Sequence, residues 1–248
     1  MASYEESVFI NCPFDLEYHP IFQALVFAVH ECGYFARCAL EVEDSGQVRI
    51  QKIEQIIAEC RFGVHDISRT KPDPENQLPR FNMPLELGLF LGAKWYGDTR
   101  QQTKSCKILD TERFRFQKFC SDIAGQDISA HGGDPEKAIK TVRDWLRSSK
   151  PDILIPSGSK IVERYRQFQD DLPMLCETFR LDVEELTFID LQNIIVDMVT
   201  CKCLVAYRPT FALQPAPASR TAALDVGLYN PQSAIHNPQL ACVRKNLR

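Results

Sequence analysis

The sequence predicts an open parallel α/β sheet with helices on both faces, followed by a small helical extension. Three observations carry that expectation. Short apolar runs alternate with stretches of helical spacing over residues 7–110, and parallel strands need such crossovers. At 248 residues the chain has room for one large α/β domain plus an appendage. Its 44% hydrophobic and 25% charged residues are ordinary for a globular protein.

Taken in order, Ser7 to Cys12 is an apolar run broken by Pro13-Phe14-Asp15, which reads as a buried first strand ending in a loop. Helical spacing follows from Tyr18 to Cys32, and Gly33 closes it. Phe35–Leu40 is a second strand, and the polar stretch Glu41–Gly46 leads to a second helix over Val48–Cys60. That helix carries Ile50, Ile53, Ile56 and Ile57 on one stripe. Phe62–Ile67 is a third strand. A long polar loop, Thr70–Asn82, precedes an apolar helix; loops of that length are usually functional or disordered. Cys106–Leu109 is a weaker fourth strand. Helices are expected over Glu112–Ile123 and Pro135–Ser148, with a short edge strand and a turn within Asp127–Asp134.

This places an α/β domain at 1–150. A helical extension spans 151–207, with helical patterns over Lys160–Arg180 and Val183–Val199 and an interruption at Pro173. Residues 208–248, rich in Pro, Ala, Ser and Asn, read as a disordered tail.

Composition narrows the function. A net charge of −4 gives no basic footprint for nucleic acid. No apolar run approaches the ~20 residues of a membrane span, and the first residues lack the features of a signal peptide. Ten scattered cysteines, many within apolar stretches, suit small core residues in a reducing cytoplasm. Cys201 and Cys203 form a lone C-x-C, so neither a zinc site nor any other metal is expected. There is no G-x-G-x-x-G, P-loop or G-x-S-x-G.

In an open parallel sheet, ligands sit beyond the carboxyl ends of the strands. Those ends carry Asn11, Phe14 and Asp15 after strand one, Arg37 in strand two, and Asp66 and Ser68 after strand three. The next helix brings Asn82 and Glu86. Each has a plainer role open to it. Asp15 would cap the first helix, Asp66-Ile67-Ser68 would form a turn, and Arg37 would pair with a surface glutamate. His65, inside an apolar strand, reads as a hydrogen-bonded core residue; His131, beside Gly132-Gly133, sits in a turn and suits either role.

The segment Arg80–Lys94 organises the rest. Asn82 suits an N-cap and Pro84 a first turn, which places Glu86 in that turn too. A carboxylate there is either a dipole-stabilising end group or a catalytic acid over a pocket.

Val8–Asp15, His65–Ser68 and Met83–Gly88 together resemble bacterial Toll/interleukin-1-receptor (TIR)-like proteins and the related nucleoside 2-deoxyribosyltransferases. The resemblance covers residues 7–110. Glu86-Leu87-Gly88, followed by Gly92-Ala93-Lys94, matches the transferases' catalytic glutamate segment. The stretch before it, Arg80–Pro84, departs from their usual small Asp-Ser-Gly-Thr-like one, and Cys12–Asp15 departs from the serine-rich first loop of TIR domains.

The resemblance implies a flavodoxin-like sheet and chemistry at an N-glycosidic bond. NAD+ or another nucleotide would be substrate, with no separate cofactor. Glu86 would act at ribose C1′ and Asp66 on the base or a ribose hydroxyl. Phe14 would stack on the base, while Asn11 and Arg37 would contact ribose or phosphate. Self-association is implied as well. Two other classes stay open: a non-catalytic nucleotide-sensing or self-assembling signalling or defence module, and a receiver-like domain phosphorylated at Asp66. The receiver is the weakest, since Asp15 stands alone after strand one.

Overall fold

A computed structural model describes residues 2–70, 72 and 81–200. Five parallel strands form one sheet: β1 Ser7–Asn11, β2 Phe35–Arg37, β3 Phe62–Asp66, β4 Ser105–Asp110 and β5 Ile128–Ala130. Their order, β2-β1-β3-β4-β5, is that of a flavodoxin-like sheet, and the switch point falls between β1 and β3. Both of those strands are buried along their whole length, as expected for a sheet covered on two faces.

The helices are α1 His19–Glu31, α2 Arg49–Glu59, α3 Asn82–Tyr96, α4 Thr99–Gln102, α5 Pro135–Ser149, α6 Gly158–Phe179 and α7 Phe188–Thr200. Right-handed crossovers place α1 and α5 on one face and α2 and α3 on the other. On the second face, Ile53, Ile56 and Ile57 of α2 pack with Phe9 and Phe90. Met83, Leu87 and Leu91 of α3 pack with Ile67, Ile108 and Phe116. The first cluster lies under the isoleucine stripe that the spacing predicts.

Several boundaries differ from expectation. The second strand stops at Arg37, because β1 pairs with it only from Ser7 to Phe9. Glu112–Ile123 is not an α-helix but two 3-10 turns, Arg115–Lys118 and Ser121–Ile123. Phe114 just before them is left-handed, with φ 62°, which breaks any continuous helix. Pro173 does not interrupt α6. Proline inside a helix costs about 3 kcal/mol, and the buried stripe of Phe168, Leu172 and Cys176 packs on through it. The last helix starts at Phe188 rather than Val183. Thr187 and Asp190 cap it reciprocally, Asp190 N donating to Thr187 Oγ1 and Thr187 N to Asp190 Oδ2.

The helical segment packs against α1. Phe27 meets Tyr165 and Phe168 at ring-centroid distances of 5.4 and 5.3 Å. Arg164 Nε donates to Glu31 Oε1 at 2.8 Å, and Gln192 Nε2 donates to the Ala36 carbonyl at 2.6 Å. Residues 1–196 form one unit; of the second, 197–248, only the end of α7 is described. Most of the Thr70–Asn82 loop and the whole of the expected tail lie outside the described residues. No described helix is long and apolar enough to cross a membrane.

Candidate functional site

The carboxyl ends of β1, β3 and β4 deliver Asn11, Asp66 and Asp110, all buried. Asp66 lies at the centre. Its Oδ1 accepts from the Ser68 backbone N–H at 2.8 Å, closing a tight turn after the strand. Its Oδ2 lies 2.9 Å from His131 Nε2 yet receives no well-aligned hydrogen bond. The Tyr18 hydroxyl approaches the same carboxylate, also without a hydrogen bond of ordinary geometry. Burial, then the nearby Asp66 charge, pushes the Tyr18 phenol well up.

His131 joins this cluster from the turn between β5 and α5. Gly133 N donates to Nδ1 at 3.0 Å, so in the neutral ring the proton sits on Nε2. Nε2 faces Ser68 Oγ at 3.0 Å as well as Asp66. Gly132 and Gly133 both hold positive φ, 67° and 78°, the conformation that turns the chain back to present that amide. A structural and a site role were both open to His131; the contacts place it beside Asp66 and Ser68.

Glu86 is 6% exposed and lies on the buried side of α3. Burial pushes its carboxyl up from the ordinary 4.5 to about 7, against the opposing pull of Arg49. It is the fifth residue of α3, in the second turn and not the first. The cap position belongs to Phe81, and Asn82 is an exposed first helical residue with no capping role. Cys12 follows β1 and is buried: burial first, then Asp66, Cys38, Glu86 and Asp15, raises its thiol.

The other expected residues divide into two groups. Asn11 holds the site's frame: its Nδ2 donates to the Met83 carbonyl at 2.9 Å and contacts His65 Nδ1 at 3.1 Å, tying β1 to the start of α3. Phe14 is half-buried, edge-on to Phe22 at 5.3 Å. Two others are already in ion pairs. Arg37 holds Glu41 through Nε and Nη2, both at 2.6 Å, and Glu59 at 3.0 Å. Asp15 receives Arg69 Nη2 at 2.5 Å and the Tyr18 backbone N–H at 3.1 Å, which is the helix-entry role open to it from sequence. His65 is fully buried and its imidazole is pushed down to about 3, chiefly by burial, as befits a neutral core residue.

Sequence reasoning missed Tyr18, Asp110, Arg115 and the part played by His131. Arg115 binds the Asp110 carboxylate and donates to the Ser68 carbonyl at 2.7 Å and to Thr70 Oγ1 at 2.9 Å. It thereby holds the loop after β3 against the end of β4. Burial still raises the Asp110 carboxyl, and its Oδ2 is unpartnered. A signal for Asp110 was available, since it is the polar residue ending the fourth apolar run. A shallow cavity of about 430 Å³ lies elsewhere, between α2 and α3, lined by Ile57, Ala58, Leu89, Ala93 and Gln101; none of the site residues borders it.

No family model and no curated protein matches the chain. Among solved structures it is similar to a diflavin flavoprotein A3 from Nostoc sp., at 13% identity and a TM-score of 0.36. That match covers 61% of this chain and 99% of the other. A likeness at that level carries no argument about ligand or activity, and the fold assignment rests on the strand order.

Proposed function

We propose that the chain cleaves or transfers the N-glycosidic bond of a nucleoside, a nucleotide or NAD+, with Glu86 acting at ribose C1′. The observation supporting this is a buried glutamate on α3, the helix that follows β3, whose carboxyl is pushed up to about 7. Such a group exchanges its proton near neutrality, and water is largely kept from it. In the ionised form it either bonds to C1′ as the C1′–N bond breaks, or stabilises the oxocarbenium-like cation there. A purine or pyrimidine base departs with a proton drawn from water, whereas the nicotinamide of NAD+ departs as the neutral molecule and needs none. Water or a second base then attacks C1′ and frees the carboxylate.

Asp66 is 0% exposed, so we assign it a positioning role exerted through Ser68 and His131. Ser68, half-buried, is the member of that cluster nearest to solvent. Because Arg37 and Asp15 already hold ion pairs, the reading gives neither a substrate contact.

The test is to incubate wild type and Glu86→Gln with NAD+ and a panel of nucleosides and to follow base release by chromatography. Wild type releases base, and the variant is slower by about 10²-fold or more. Silence from both at high protein concentration supports a sensing module without turnover. Equal release from both removes Glu86 from the chemistry.

A further inference from the structure

The outer face of α3 is unusual for a helix flanking a sheet. At about 100° per residue, Phe81, Leu85, Gly88, Gly92, Trp95 and Tyr96 fall within an arc of roughly 100°. Phe81 is 57% exposed, Leu85 56%, Trp95 55% and Tyr96 88%. Between Phe81 and Tyr96 the charged residues are Glu86, which is turned inward, and Lys94, half-buried and outside that arc. An outward helix face in a parallel α/β domain is ordinarily polar, and a contiguous apolar patch of this kind marks an interaction site.

The arrangement is also self-complementary. Gly88 and Gly92 are equidistant from position 90, and so are Leu85 and Trp95. A Cβ at either glycine would meet nothing within 4 Å, so the middle of the stripe is open along the helix. Two antiparallel copies of α3, related by a two-fold axis near position 90, set Leu85 of each against Trp95 of the other, with glycines at the crossing. An isologous contact requires that kind of pairing. The lack of charge removes like-charge repulsion across the axis.

The area is sufficient. Taking about 200 Å² for each aromatic side chain, the stripe presents roughly 500 Å² per copy, or about 1,000 Å² for a pair, which reaches the lower bound of a specific interface. From these features we infer that the chain forms a symmetric homodimer through the outer face of α3. The glycines suit close approach of a second helix, which a lipid surface does not require.

Sedimentation of the full chain over about 1–100 µM tests this. Wild type is expected to move toward twice its 28.3 kDa as concentration rises. The double variant Leu85→Glu/Tyr96→Glu, altered only at exposed positions, is expected to stay monomeric with an unchanged circular dichroism spectrum. A single variant, Tyr96→Lys, guards against misfolding of the double and should weaken the dimer at least tenfold. A wild type that stays monomeric throughout overturns the proposal, including one that instead binds phospholipid vesicles. So does a dimer that survives both variants.

Discussion

The two ends of the sheet differ in how they partner buried charge. At the amino end, Lys104 is 1% exposed. Its ammonium donates to the Ile57 carbonyl at 2.6 Å and to the Cys60 carbonyl, the last acceptors of α2. The Phe90 ring lies 4.5 Å from it. Its donors are directed at acceptors at a helix C-terminus, where the dipole favours a cation, although burial still pushes its ammonium down to about 8. At the carboxyl end, Asp66 Oδ2, Asp110 Oδ2 and the Tyr18 hydroxyl are buried without well-formed hydrogen bonds, and Glu86 sits in a place that disfavours its ionised form. Unsatisfied buried polar groups are expensive in a fold maintained for stability alone. Arg61 Nε and Gln101 Oε1 are unpartnered at the amino end too, but the buried ammonium there is satisfied, whereas at the carboxyl end the unpartnered atoms belong to the buried carboxylates themselves.

That contrast can be broken at either end. Lys104→Ala should cost about 3 kcal/mol of stability, because it opens a cavity and leaves two helix-end carbonyls without their donor. A urea melt measures it, and catalytic rates well below the transition should hardly change. His131→Ala should cost both stability and activity. His131 is 2% exposed and joins two loops through Gly133, Asp66 and Ser68, so its loss should cost about 2 kcal/mol by the same reasoning. Base release should fall about tenfold, read as kcat with KM followed separately.

Much of this architecture was legible in the chain. The isoleucines of α2 and the apolar runs of β1 and β3 follow periods of 3.6 and of continuous burial, and local chemistry alone fixes them. The rim residues Asn11, Asp66 and Ser68 follow from the rule that strand ends make the site, and Asp66 and Ser68 do meet. His131 was harder. It stands 63 residues from Ser68, and only the crossover to β5 brings the two to 3.0 Å. The failed helix at Glu112–Ile123 has a similar origin. Arg115 is drawn back to Asp110, five residues before it, and to Ser68 by a long-range hydrogen bond that helical periodicity does not reveal. Asn82 misled for the opposite reason: a good capping residue stood one position inside the helix.

The central claim is that Glu86 is held in a site hostile to its charge, and the pH dependence of stability tests it most directly. Its folded pKa of about 7 lies above the ordinary 4.5, so the folded protein retains a proton that the unfolded chain has released. Stability from this group is therefore full below pH 4.5, falls as pH rises toward 7, and levels off above it. Thermal melts of wild type and Glu86→Gln from pH 5 to 9 should diverge. The variant should gain little at pH 5 and about 2 kcal/mol, or roughly 4–8 °C, at pH 8 and above. A difference that does not change with pH, or a variant less stable at pH 8, would contradict the account.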